Sequence, residues 1–161
     1  MEYIEERIVS DAKEKNKKIA AAESCTGGLI CSRIVNVSGA SDCFLEGFVT
    51  YSNEAKMHSL GVDPAILASV GAVSSECAAA MAKGAADKAG ADIAVSTTGI
   101  AGPLGGTREK PVGLVYIGGY DGSRTRVEKH IFDGDRKAVR EAACERALEL
   151  MYEILSESSA N

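Results

Sequence analysis

Ser24 and Lys56 are the side chains in this sequence that together could perform covalent chemistry. Ser24 lies in Ala21-Ala22-Glu23-Ser24-Cys25-Thr26-Gly27-Gly28, where an apolar run from Ile19 to Ala22 stops and a helix-like run from Leu29 to Val35 begins. A strand feeding a helix across a turn of small residues holds a side chain at the carboxyl end of a sheet and brings backbone N–H groups close to whatever binds there. Such N–H groups could stabilise an oxyanion or bind a phosphate. The plainer alternative is that Ser24 or Thr26 caps the helix.

If Ser24 is a nucleophile, some group must take its proton. The only histidines, His58 and His130, read as surface residues rather than triad bases, which leaves lysine as the familiar base. Lys56 is the best placed, early in the helix expected after the second strand, although a solvated lysine on an exposed helix is the usual fate of this residue type. An ordinary lysine is protonated at neutral pH, so burial or a nearby positive charge would have to depress its pKa. Tyr51 could bridge the pair through its hydroxyl or simply pack in the core.

Two further groups suit an anionic or sugar-bearing ligand. The stretch Thr97 to Pro111 is long for a connection and carries Gly99, Gly102, Gly105 and Gly106 among the hydroxyls of Thr97, Thr98 and Thr107. Arg136 and Arg140, four apart on one helical face, could grip an anion or pair with Asp133 or Glu141 at the surface. Several standard chemistries are excluded by inspection: the glycine loop lacks the ending of a P-loop, no G-x-G-x-x-G follows a strand, and the sequence around Ser24 is not G-x-S-x-G.

The elements that must position these residues follow from periodicity and turn chemistry. Tyr3 to Asn16 reads as a surface helix with Ile4, Ile8 and Ala12 on its inward stripe. Ile19 to Ala22 is a first strand, Leu29 to Val35 a helix, Asn36 to Asp42 a loop and Cys43 to Tyr51 a second strand. Ser52 or Asn53 caps a helix from Glu54 to Leu60, and Asp63-Pro64 opens a short one through Ser69. Ser74 or Ser75 caps a longer helix in which Cys77, Ala80, Met81 and Gly84 imply close packing against a sheet or a partner chain. Asp92 to Ser96 is a third strand, and Val112 to Tyr120 and Arg124 to Phe132 form a hairpin about Asp121-Gly122. The last helix buries Val139, Ala143, Ala147, Leu150 and Ile154, and the tail from Ser156 to Asn161 is expected to fray. This alternation indicates an α/β fold: a three-layer α/β/α sandwich with a mixed, mostly parallel sheet.

Residues 1–161 are read as a single domain, since no linker divides a chain of this size. Eighteen Lys and Arg against 23 Asp and Glu leave a net charge of -5 without a basic stripe, which argues against nucleic acid as a partner. No apolar run approaches a bilayer's thickness and the N-terminus is acidic, so no membrane association and a cytoplasmic location are expected. The five cysteines are odd in number and form no C-x-x-C pair, which fits reduced thiols better than disulfides or a zinc site. Cys25, beside Ser24, could be reactive, though small buried cysteines are commoner.

Ala22-Glu23-Ser24-Cys25-Thr26-Gly27-Gly28, Gly47-Phe48-Val49-Thr50-Tyr51-Ser52-Asn53-Glu54-Ala55-Lys56, Gly71-Ala72-Val73-Ser74, Thr98-Gly99-Ile100-Ala101-Gly102-Pro103 and Lys110-Pro111-Val112-Gly113 together resemble the CinA C-terminal domain family, in order and over nearly the whole chain. That family includes stand-alone nicotinamide mononucleotide deamidases, which release ammonia from the carboxamide of that nucleotide. The resemblance implies Ser24 as nucleophile and Lys56 as its base with Tyr51 beside them, no metal and no cofactor. It also implies a substrate pocket drawn from Glu23, Thr26, Gly27, Gly28, Thr98, Gly99 and Gly102. The run Phe132 to Arg140 matches a family motif and makes Arg136 or Arg140 a substrate contact. Leu104 stands where the family usually has glycine. The implied partner is the small-molecule substrate, and a homo-oligomer is expected. Many members carry an additional N-terminal domain, for which 161 residues leave no room. The competing expectation is a non-catalytic nucleotide-binding module of a competence/damage-inducible CinA-like protein, and a third is an amidohydrolase for another pyridine or nucleotide amide.

Overall fold

Five strands form one sheet in the order β2-β1-β3-β4-β5, as seen in a computed structural model that describes residues 1–161. In chain order the elements are α1 (Ile4–Glu14), β1 (Ile19–Glu23), α2 (Leu29–Val35), a 3-10 turn (Ala40–Asp42), β2 (Phe44–Val49), α3 (Asn53–Leu60), α4 (Pro64–Ser69), α5 (Ser75–Ala89), β3 (Ile93–Gly99), β4 (Leu114–Tyr120), β5 (Thr125–Ile131) and α6 (Arg136–Glu157). β1 pairs in parallel with β2 and β3, whereas β4 is antiparallel to both of its neighbours, β3 and β5. One strand therefore runs against the other four, and the expected mixed sheet with helices on both faces is what the chain forms.

Alternation along the central strands divides the interior in two. Ile19, Ala21, Ile93 and Val95 point into a core of 24 buried residues beneath α1, α2 and α6, while Ala20, Ala22 and Ala94 point into one of nine beneath α3 and α5. The second face is lined by small side chains because α5 lies very close to it. A Cβ on Gly118 would stand 2.4 Å from the Ala78 carbonyl oxygen of α5, and Ser96 donates its hydroxyl to that same oxygen at 2.6 Å. A Cβ on Gly84 would stand 2.2 Å from the Leu60 carbonyl oxygen at the end of α3. The small residues of α5 are thus accounted for within one chain, by the sheet and by α3.

Several boundaries differ from the sequence reading. β3 continues through Thr97, Thr98 and Gly99, because their partners Ile117, Tyr116 and Val115 on β4 extend the ladder past the last apolar residue. The loop accordingly begins at residue 100, and it runs to 113 because β4 starts at Leu114 and not at Val112. β2 is trimmed to six residues, freeing Thr50 and Tyr51 as a two-residue corner before the Ser52 cap, whose hydroxyl accepts from the Ala55 N–H. The tail is not frayed: Asn161 donates its backbone N–H to Lys15 O at 2.8 Å and its amide to Asn16 O, and accepts from Lys17 Nζ. No helix is long and apolar enough to cross a membrane.

Candidate active site

Ser24 is the first residue beyond β1, and its N–H continues the parallel ladder by donating to Thr97 O of β3 at 3.0 Å. On the other side the Thr50 N–H donates to Glu23 O, so the corner leading into α3 is drawn against the same strand end. Lys56, in the first turn of α3, is thereby aimed back across that corner. Its Nζ lies 3.0 Å from Ser24 Oγ, 2.8 Å from Thr50 O and 3.2 Å from Tyr51 O.

Lys56 is only 1% exposed and makes no ion pair, so the solvated-lysine alternative does not hold. Burial holds its pKa below the ordinary lysine value, because the charged form loses its hydration without gaining a carboxylate. The acceptor arrangement suits both protonation states. An ammonium gives one proton to each of the three oxygens, whereas a neutral amine keeps its two N–H groups on the Thr50 and Tyr51 carbonyls and turns its lone pair to the Ser24 hydroxyl. Burial has the opposite effect on Cys25, pushing its thiol up to about 11, so the neighbouring sulfur stays protonated at neutral pH.

A cavity of about 290 Å³ opens on this pair. Ser24, Cys25, Tyr51, Asn53, Thr98 and Arg136 line it among others, together with Gly99, Gly102 and the exposed Leu104 of the glycine-rich loop. Its lining contains two basic side chains, Lys56 and Arg136, and no carboxylate.

Several side chains expected in the substrate pocket have structural tasks instead. Glu23 is wholly buried beside Ser24. Its carboxylate accepts from the N–H groups of Ile30 and Cys31 and from the Thr26 hydroxyl, at 2.9, 3.0 and 2.6 Å. Gly28, the N-cap of α2 at φ 106°, has no side chain with which to do this, and Glu23 reaches forward to satisfy the helix start in its place. Since the Thr26 hydroxyl gives its proton to Glu23, the Thr97 hydroxyl donates to Thr26 Oγ1 at 2.7 Å. Neither Thr26, Gly27 nor Gly28 lines the cavity. The N–H of Gly27 donates to Ser24 O, that of Leu29 to Thr26 O, and those of Ile30 and Cys31 to Glu23; Cys25, which does line the cavity, keeps an N–H bonded to nothing in the protein. Ser24 is not a helix cap, for its Oγ bonds Lys56.

The two arginines separate. Arg136 lines the cavity, donating to Gly102 O at 2.9 Å and to the Tyr51 hydroxyl at 3.1 Å. Arg140 does not line it; it binds the backbone oxygens of Cys25 and Thr26, each at 2.9 Å. Neither pairs with Asp133 or Glu141. Tyr51 is 64% exposed and its hydroxyl meets Arg136, so it does not bridge serine to lysine; what it offers Lys56 is its carbonyl oxygen. Thr98 lines the wall but spends its hydroxyl on Ala72 O, fixing the turn before α5.

The roles of the Thr50 and Tyr51 carbonyls and the capping by Glu23 escaped the sequence reading. Backbone acceptors carry no residue-type signal. For Glu23 the available hint was a glycine at the start of α2, which leaves the cap to be supplied from elsewhere.

These features define the class: an α/β domain with a buried serine–lysine pair at the carboxyl ends of the parallel strands of a mixed sheet. The chain belongs to the CinA C-terminal domain family, whose model matches residues 1–155. A CinA-like protein of Kosmotoga olearia is 51% identical over 96% of this chain, and one of Geobacter sp. matches to the same extent. The chain spans only 37% of the length of either relative. Among solved structures, a CinA superfamily protein of Klebsiella pneumoniae superposes with a TM-score of 0.91 at 32% identity, covering 96% of this chain and 97% of that one. The competence/damage inducible protein CihA of Agrobacterium tumefaciens also gives 0.91, at 39% identity and covering 94% and 93%.

Proposed function

We propose that this domain is a nicotinamide-nucleotide amidase that converts nicotinamide mononucleotide to nicotinic acid mononucleotide and ammonia. The observation that carries the reading is the 3.0 Å approach of Lys56 Nζ to Ser24 Oγ, with the amine buried and its charged form disfavoured. In this scheme the neutral amine takes the hydroxyl proton as Oγ adds to the carboxamide carbon. The oxyanion that forms is given the free N–H of Cys25. The Lys56 ammonium returns the proton to the amide nitrogen, the C–N bond breaks and ammonia leaves an ester on Ser24. Water then adds to the ester carbon while Lys56 accepts its proton, and collapse restores the serine and frees the acid.

The charge of the lining supports an anionic ligand: with Arg136 as a cation and no carboxylate, it suits a substrate bearing a phosphate that this guanidinium can meet. At about 290 Å³ the cavity fits part of a mononucleotide better than a dinucleotide. The deciding experiment is ammonia release on incubation with nicotinamide mononucleotide, by wild type and by Ser24→Ala and Lys56→Met. Turnover by wild type and a loss of about 10³-fold or more in both variants supports the scheme. Tight binding of the nucleotide without ammonia release would replace it with the binding-module reading, and release from another amide alone would change the substrate.

A further inference from the structure

We propose that Arg140 is a positioning residue for the oxyanion donor, holding the turn that follows the nucleophile and touching no substrate. This rests on the amidase reading for its substrate but on geometry alone for its mechanism. One guanidinium donates Nε to Cys25 O and Nη2 to Thr26 O, bonding two consecutive carbonyls from a helix 114 residues further along the chain. Charge-assisted bonds of this kind are about twice as strong as neutral ones. They fix both peptide planes beyond Cys25, since a planar trans peptide that has its oxygen anchored has its N–H direction anchored as well. The plane before Cys25, which carries the Cys25 N–H, is held through the same anchor: the Gly27 N–H, lying in the plane whose Thr26 oxygen Arg140 binds, donates to Ser24 O at 3.1 Å. Cys25 is thus clamped on both sides, and its N–H, the one unspent donor of the turn that belongs to a cavity-lining residue, has a set direction beside Ser24.

Gly27 shows that the turn is built around this guanidinium. It sits at φ 59°, and a Cβ there would stand 3.2 Å from Arg140 Nη2, so a larger residue would crowd the clamp and strain the backbone together. Arg136, one helical turn earlier, differs in every respect: it reaches a loop oxygen and a tyrosine hydroxyl at the cavity wall. The motif that contains both arginines therefore divides into one ligand-facing and one turn-holding residue.

The test compares wild type with Arg140→Lys, Arg140→Gln and Arg140→Ala, using Lys137→Ala as the control because Lys137 is an exposed partner of Glu141. Each is first checked for native circular dichroism. Two rates are then measured: ammonia release from nicotinamide mononucleotide, and phosphonylation of Ser24 by a fluorophosphonate, in which Oγ displaces fluoride at phosphorus and Lys56 takes the proton. A lost oxyanion donor is worth about 10²–10³-fold, so the folded Arg140 variants should lose about 10- to 100-fold in kcat and in phosphonylation with KM nearly unchanged. Added guanidinium should restore part of the Arg140→Ala loss, and Lys137→Ala should match wild type. Rates near wild type in folded Arg140→Gln, a loss confined to KM, or a wild-type Ser24 inert to the reagent would each overturn the assignment. Phosphonylation without turnover of any amide would sink the amidase reading alone, leaving the Arg140 series to be decided by the labelling rates. If Arg140→Ala does not fold, the lysine and glutamine variants carry the same comparison.

Discussion

Lys56 Nζ lies 2.8 Å from the carbonyl oxygen of Thr50, the residue on which β2 hands over to the corner before α3. That bond and its companion to Tyr51 O leave the amine one position free, the one facing Ser24 Oγ. In the proposed scheme Ser24 is therefore activated only when that position is a lone pair. With the Lys56 pKa lowered by burial, kcat/KM should rise with pH along a limb whose midpoint lies below the ordinary lysine value of 10.5. A pH–rate profile on nicotinamide mononucleotide checks this, and a limb at or above 10.5 contradicts it.

The same lowering has a stability consequence of defined sign. The folded state releases the Lys56 proton at a lower pH than the unfolded state, so burial of the charge weakens the fold most below the folded pKa, and the deficit shrinks as pH rises towards 10.5. Lys56→Met removes the titrating group while keeping most of the volume. Its unfolding free energy should exceed that of wild type at neutral pH, and the difference should narrow at alkaline pH. Urea titrations at several pH values provide the measurement.

Glu23 predicts the reverse outcome. Its carboxylate terminates two helix N–H groups and a threonine hydroxyl in a fully buried place, so Glu23→Ala strands three donors. Hydrogen bonds to a charged group contribute ~1.5–3 kcal/mol each, and neighbours in one network do not add fully; a loss of about 3–5 kcal/mol is expected. Glu23→Gln retains one acceptor oxygen and should lose roughly half as much. Both are read by chemical denaturation, with ammonia release as a second readout.

Gly84 tests the seating of α3. Alanine is favoured over glycine in a helix by about 1 kcal/mol, but here the added Cβ would meet the Leu60 carbonyl oxygen at 2.2 Å. Overpacking against backbone costs ~1–3 kcal/mol, so the clash outweighs the propensity gain and Gly84→Ala should lower the thermal midpoint. Because Leu60 closes the helix that carries Lys56, activity should fall with it.

Much of this was legible in the chain. Alternation, caps and turn residues place every helix and strand, and Ser24 and Lys56 can be chosen because the strand–turn–helix pattern recurs at the same edge of a sheet. What could not be read were contacts set by tertiary geometry. Thr97 and Thr98 look like loop hydroxyls until β4 pairs with them; Arg136 and Arg140 are indistinguishable until α6 is docked, when one turn of helix separates the cavity from the back of the serine turn. Glu23 and Tyr51 have side chains that suit catalysis, yet the fold uses the first to finish a helix and the second to meet Arg136.

The partition of the interior has a thermal consequence. The turn bearing Ser24 is lashed to α6, above the 24-residue apolar layer, whereas Lys56 rides on α3, above the layer of nine. Burial of apolar surface sets how readily a segment opens on its own, so the thinner side loosens first on heating. Inactivation should then precede melting: the amine drifts from the hydroxyl while most helices persist, and cooling restores catalysis without any refolding of the larger layer.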